Sequence, residues 1–338
     1  MPAEITTQFK TTGAVGARED LSDIINRIDP DDTPVYSKLK KGTRTAIQFD
    51  WQVQELAAAG SNAINEGADV SAYNQTPTER FNNVHAISSK AINVSGTLDA
   101  IDTAGRAKES AYQATLKGIE LKRDIEYMLM YDTAKSTSDP RSPGTLSTWI
   151  TNYSLGASAT TNGSFDGDGV DFPVTDVTTD TTPADGVADD WGTVRSISGD
   201  LVDTVHQAVY NDGGKPTALV LSPTQKRLFS DAMVQASTVV ANRMNQTAAE
   251  GAAAVGAVDV YVSDFGNLAT VIDRFMPAER AYLLDFNHME FVTLPGRNMV
   301  KYDLAKNGDS HREQVLCEWS LEMKAPKAQG AVYALSTS

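Results

Sequence analysis

Residues 106–133, RAKESAYQATLKGIELKRDIEYMLMYDT, carry the longest uninterrupted helical pattern in the chain. Ala111, Ala114, Gly118, Leu121, Ile125 and Met128 recur at steps of three and four, which places them on one narrow apolar stripe. Charged residues fill the other faces. Glu120 and Asp124 repel at i,i+4 while Lys122 and Glu126 attract, so charge pairing does not hold the helix. At 1.5 Å per residue the rod is about 40 Å long, the width of a domain. The small residues of the stripe suit close packing on a sheet better than a Leu-rich zipper seam. A rod with so thin an apolar stripe lies across a sheet or along a partner.

Upstream, residues 47–53 read I-Q-F-D-W-Q-V, with Ile47, Phe49, Trp51 and Val53 alternating against polar residues, the clearest two-residue period in the chain. A polar tip from about Ala57 to Arg80 follows, and the chain returns through Asn83 to Val94. Two strands joined by so long a tip predict a protruding β-hairpin, which is not stable alone in water and needs a neighbour. Before it, Asp20 caps a short helix over LSDIINRI, and Thr33-Pro34 opens another over VYSKLKK that ends at Gly42.

Downstream, residues 152–190 are rich in Thr, Asp, Gly and Ser and read as a long surface insertion. A second amphipathic helix is predicted over Trp191–Tyr210, a buried strand over Thr217–Leu221, and a capping box at Ser222-Pro223-Thr224-Gln225. Residues 236–257 are Ala- and Gly-rich. Further strands are predicted at 258–262, 268–272, 281–284, 290–294, 315–323 and 331–335. The fold class is α+β.

The formal net charge of −15 disfavours a nucleic-acid-binding surface, which needs clustered Lys and Arg. A single cysteine, Cys317, excludes an internal disulfide and reads as a core thiol. No signal peptide or membrane span is expected. The four histidines, His85, His206, His288 and His311, form no metal-binding spacing, and no nucleophile elbow or phosphate loop is present. No enzymatic activity and no cofactor are therefore expected. The acidic loop Asp166, Asp168 and Asp171 is a weak candidate for a cation, since its spacing departs from the calcium loop and reads better as a solvated turn.

Five segments in this order, REDLSDIINRIDPDDTPVYSKL (18–39), SSKAINVSGTLDAIDTAGR (88–106), KGIELKRDIEYML (117–129), VDVYVSDFGNLATVIDRFMP (258–277) and LAKNGDSHREQVLCEWSLEMKAPKAQG (304–330), resemble the major capsid proteins of tailed bacteriophages with the Hong Kong 97-type fold. The resemblance implies an N-terminal arm (1–46), an extended hairpin loop (47–95), a peripheral domain whose spine is the long helix (96–150), the insertion (151–190), an axial domain (191–303) and a return to the peripheral domain (304–338). It implies hexamers and pentamers closing an icosahedral shell around double-stranded DNA, assembled in the host cytoplasm and located in the virion. The implied partners are other copies of the chain, with scaffold, portal and decoration proteins. Trp51, Glu66 and Arg80 in the hairpin are the candidate subunit contacts. Lys90, the one lysine in the hairpin, lies near its base, so the inter-subunit crosslink of some relatives is not expected. A capsid-like protein compartment is the alternative reading and a β-rich surface adhesin a more distant one.

Overall fold

The computed structural model describes residues 29–54, 56–67, 75, 77–101, 105–131, 133–155, 193–236 and 259–337. The helix expected after Asp20, the loop Asp166, Asp168 and Asp171, residues 156–190 of the insertion and residues 237–257 of the Ala/Gly tract lie outside them.

In chain order the elements are α1 (Pro34–Lys38), β1 (Lys40–Thr43), β2 (Gln48–Val53), β3 (Glu79–Val84), β4 (Ala86–Ser95), α2 (Gly96–Ala100), α3 (Glu109–Met130), α4 (Leu146–Trp149), β5 (Asn152–Ser154), α5 (Gly199–Asn211), β6 (Ala218–Leu221), α6 (Pro223–Ala236), β7 (Val260–Ser263), β8 (Gly266–Ile272), β9 (Ala281–Leu284), β10 (Met289–Thr293), β11 (Val300–Asp303), β12 (Ser310–Met323) and β13 (Gly330–Val332). They build a mixed helix-and-sheet fold. One sheet runs β1-β10-β12-β11, with β4 also pairing β12; a second runs β5-β13-β9-β6-β8-β7; β2 and β3 pair apart from both.

The long helix lies on the β4–β12 pair, as its stripe predicts. Leu121, Ile125 and Leu129 are buried with Val315, Cys317, Trp319, Leu321 and Met323 of β12. The stripe holds for its C-terminal half. Lys90 pairs with Asp124, and Ser88 lies against Met128, so four helix residues match two strand residues. Both steps span about 6 Å. Carried backwards, that pitch takes the helix past the end of β4 at Ser95 before it reaches Ala111, which is exposed. At Gly118 an added Cβ meets open space, so close packing there is not what selects glycine. The helix starts at Glu109, three residues later than the pattern suggests. Its cap comes from outside: the Asp99 carboxylate accepts from the Ser110 amide (3.1 Å) and hydroxyl. That amide holds the Asp99 carboxyl below the usual range.

The N-terminal segment departs more from expectation. The helix ends at Lys38, Leu39 turns extended, and Lys40–Thr43 form a strand parallel to β10. Gly42 is therefore not a helix terminator. A Cβ there would lie 3.1 Å from Glu290 Oε2 and 3.3 Å from Val292 Cγ1, so a side chain would crowd the strand beside it. Thr33 makes no capping hydrogen bond. Its task falls to Glu126 of α3, whose carboxylate accepts from the amides of Val35 (2.8 Å) and Tyr36 (2.7 Å).

In the second sheet, β6 is flanked by β8 in parallel and β9 in antiparallel, and all four of its residues are buried. Leu219 and Leu221 pack with Val202, Val205 and Val209 of α5 and Phe229 of α6, while Ala218 and Val220 join the core shared with α3. The capping box forms by half. Ser222 Oγ accepts from the Gln225 amide at 3.3 Å, but the Gln225 side chain turns away to donate to the carbonyls of Ala278 and Ser336. The helix expected from Trp191 begins at Gly199, capped by Ser198.

Candidate assembly interface

The hairpin divides into a paired base, β2 with β3, and a strap between them whose described residues are exposed. At the base, β2 pairs antiparallel with β3 in the register Gln48↔Val84 to Val53↔Glu79. The strand expected to continue to Val94 breaks at His85, and from Ala86 the chain pairs with β12 instead. The amide of His85 donates to the Ile47 carbonyl at 2.9 Å and its Nδ1–H to the same oxygen at 3.1 Å. Burial pushes the imidazole below its ordinary range, so it is neutral.

Asn83, two residues before His85, pins the base to the body. Its Nδ2 donates to the carbonyls of Gly144 (3.0 Å) and Leu321 (2.6 Å), and its Oδ1 accepts from the amides of Val84 and Gly144 (both 2.8 Å). All the hydrogen-bonding capacity of one buried carboxamide is used at the junction of three segments. Aromatic packing completes it: Trp51 lies 5.2 Å from Trp149 and 5.7 Å from Phe49, and Phe81 meets Trp149 edge-on at 6.0 Å.

Trp51 thus packs within its own chain. Arg80 also finds an in-chain partner, donating to Asp50 at 2.5 Å on the exposed side of the ribbon. Glu66 sits in the strap, exposed, beside Gly67 in the left-handed region at φ 78°. Every described residue between 54 and 80 is exposed. Leu56 and Ile64, 95% and 71% exposed, are among them. Both are large apolar side chains left in solvent beside a paired base.

Nothing among the described residues has the form of an active site. The nearest is Ser263 Oγ, 2.7 Å from His206 Nδ1. His206 is buried, and the nearby Asp203 accepts instead from Tyr261 Oη at 2.9 Å, so no carboxylate orients the ring as catalysis would require. Ser263 Oγ also accepts from the Phe265 amide, closing the turn into β8. No metal-binding group of three occurs among the described residues, and no described helix is long and apolar enough to cross a membrane. Cys317 is buried, and burial raises its thiol pKa, the opposite of what a nucleophile needs.

Two further residues escape a reading by sequence. Glu318 is buried in β12, where periodicity gives it to the polar face, yet it holds Arg141 (3.0 Å) and Arg297 (2.5 Å) together. Glu126 belongs by spacing to a solvated helix face. Neither partner set is local, so no window of sequence contains the signal.

Residues 2–336 match the family profile described as SU10 major capsid protein. The major capsid protein of Escherichia phage Phieco32 is 24% identical over 354 aligned residues, covering 97% of each chain. Among solved structures, the Cyanophage A-1(L) capsid asymmetric unit superposes with a TM-score of 0.58 at 11% identity, covering 96% of this chain and 98% of that one. The holo-SrpI encapsulin complex from Synechococcus elongatus PCC 7942 gives 0.55 at 8% identity, covering 95% and 94%. Fold likeness is thus nearly equal for a phage shell and an encapsulin, and the decision rests on the profile and the curated relative. The chain belongs to the SU10 major capsid protein family, a family of structural phage-head proteins with the Hong Kong 97-like fold.

Proposed function

We propose that this capsid protein forms hexamers and pentamers that close an icosahedral shell around double-stranded DNA, and that its hairpin strap makes the contact between neighbouring subunits. The exposure of Leu56 and Ile64 on a strap whose base is fixed carries this reading. A strap with no core of its own gains stability from a neighbour's surface. Glu66 joins the apolar pair in that contact, while Trp51 and Arg80 support it from the base. The peripheral domain comprises α3 and the sheet β1-β10-β12-β11 with β4. The axial domain comprises the second sheet with α5 and α6. On this assignment β10 and β11, which lie within the expected axial stretch 191–303, join the peripheral domain, while β13 from the expected peripheral return 304–338 and β5 from the expected insertion 151–190 join the axial one. A net charge of −15 keeps the chain from adhering to the DNA it encloses. A scaffold, a portal and decoration proteins are the further partners, and assembly takes place in the host cytoplasm.

The double variant Leu56→Asp/Ile64→Asp tests the strap. Sedimentation velocity is expected to show capsomer-sized and larger species for the parent chain and folded subunits alone for the variant. Shells formed normally by the variant would remove the strap from the contact. The compartment reading differs by content: purified shells holding a cargo protein rather than DNA would favour it.

A further inference from the structure

The described part of the N-terminal arm is held by an unusual arrangement. Glu126 of α3 is 0% exposed and its two oxygens accept from the amides of Val35 and Tyr36. Asp273, in the segment after β8, is also 0% exposed. Its Oδ1 accepts from the Phe275 amide at 2.9 Å, and its Oδ2 is buried without a hydrogen-bond partner. Each acid feels the same low-dielectric interior, and Asp273 acts electrostatically on Glu126. Lys41 of β1, the cation that acts on Glu126, bonds neither acid. Its Nζ donates to the Tyr36 carbonyl at 2.5 Å and lies over the Tyr36 and Phe291 rings. Two buried carboxylates without an ion pair do not both ionise at low cost.

We propose that Glu126 and Asp273 form a proton-dependent latch: residues 34–41 dock on α3 with uptake of a proton by this pair, so acidification tightens the arm against the body. In its acid form Glu126 keeps a carbonyl oxygen for one amide and a hydroxyl lone pair for the other. The latch joins the arm, the long helix and the second sheet at one point, because Asp273 directly follows β8 and its amide donates to the Leu221 carbonyl of β6.

The sign follows from the groups facing the site. Burial, and then the charge of Asp273, push the Glu126 carboxyl up to about 7 against the Tyr36 and Val35 amides and Lys41. Burial pushes Asp273 up to about 6 against the Phe275 amide. Both acids sit above their unfolded values, so the stability they contribute is full below about pH 4 and is lost as pH rises through 7. Burial lowers Lys41 to about 8, with Glu126 and Cys317 opposing and Lys122 assisting; it is protonated at pH 5.5 and about half deprotonated at pH 8, which opposes the acids by only about twofold and leaves the sign unchanged. The Tyr36 hydroxyl, raised to about 12 by burial, is neutral throughout. Arg123 lies over the Phe275 ring, and Arg274 faces Asp32 at 3.8 Å.

Hydrogen–deuterium exchange of the peptide spanning residues 33–41, on the full chain and corrected for the intrinsic rate, tests the latch. Protection is expected to be about twentyfold greater at pH 5.5 than at pH 8. Glu126→Gln should remove most of that ratio whatever its absolute protection, leaving only the smaller part due to Asp273, and Asp273→Asn should reduce it by that smaller part. Equal protection of the parent chain at the two pH values, greater protection at pH 8, or an unchanged ratio in both variants would overturn the proposal. The readout does not require shells, so it stands or falls apart from the role of the strap.

Discussion

The carboxamide of Asn83 accepts a hydrogen bond from the Gly144 amide at 2.8 Å and donates one to the Gly144 carbonyl at 3.0 Å. This reciprocal pair fixes the hairpin base to the loop after α3, and a further bond to Leu321 ties both to β12. Replacing Asn83 with Ala takes a hydrogen bond from the Val84 and Gly144 amides and from the Leu321 and Gly144 carbonyls, of which the last keeps Trp149 Nε1 at 3.3 Å. A loss of about 2–4 kcal/mol is expected, since each orphaned buried group costs on the order of 1–3 kcal/mol and relaxation recovers part. Chemical denaturation of the unassembled subunit measures it. A change below about 0.5 kcal/mol would show the junction to be held by the aromatic cluster alone.

His85 gives the same junction a response to acid. Burial depresses its imidazole below the ordinary 6.5, so the stability it confers is present above that value and is lost as pH falls through the folded value. The hairpin base is therefore expected to become more open to proteases below pH 6.5. His85→Gln, which can still donate to the Ile47 carbonyl, should flatten the response. The sign is opposite to that at the arm, so acid loosens one attachment while tightening the other.

Gly118 and Gly214 differ in what a side chain would meet. Gly118→Ala is expected to leave stability unchanged or raise it by about 0.5–1 kcal/mol, because the Cβ meets open space and Ala is the better helix former. Gly214→Ala should cost about 1–3 kcal/mol, since its Cβ would lie 2.6 Å from Val209 Cγ1 and 2.7 Å from Ala328 Cα. Thermal unfolding of the two variants side by side decides the matter, and equal shifts would contradict the packing described.

Glu318 carries the buried charge that joins the loop at Arg141 to β12 and to Arg297. Glu318→Ala removes the anion between two guanidinium groups and is expected to destabilise by roughly 3 kcal/mol, as breaking a buried pair does. Glu318→Gln, which keeps the shape and one acceptor, should cost less. Equal losses would mean that packing rather than charge holds the site.

Much of this fold is legible in order along the chain, because its strongest signals are periodic. Leu121, Ile125 and Met128 give the long helix and its buried face; Ile47, Phe49, Trp51 and Val53 give the hairpin; Val315 to Met323 give the central strand. What sequence misses is set by distant partners. Thr33 looks like a cap and caps nothing, because Glu126, 91 residues beyond Val35, accepts from the Val35 and Tyr36 amides instead. Gly42 looks like a helix end and is the close approach of a parallel strand. Val300–Asp303 and Asn152–Ser154 are too short to show a period, and their strands exist because β12 and β13 offer an edge. Among the expected contact residues, Trp51 and Arg80 stand out by type, yet both have in-chain neighbours. Leu56 and Ile64 matter by exposure, which no spacing records.

The central claim is that this chain is built to close a shell through contacts its own fold leaves open. Electron microscopy of the purified, expressed protein measures that directly. Closed particles or ring-shaped capsomers are the predicted result. A compact monomer under every condition of concentration, ionic strength and pH would contradict the account.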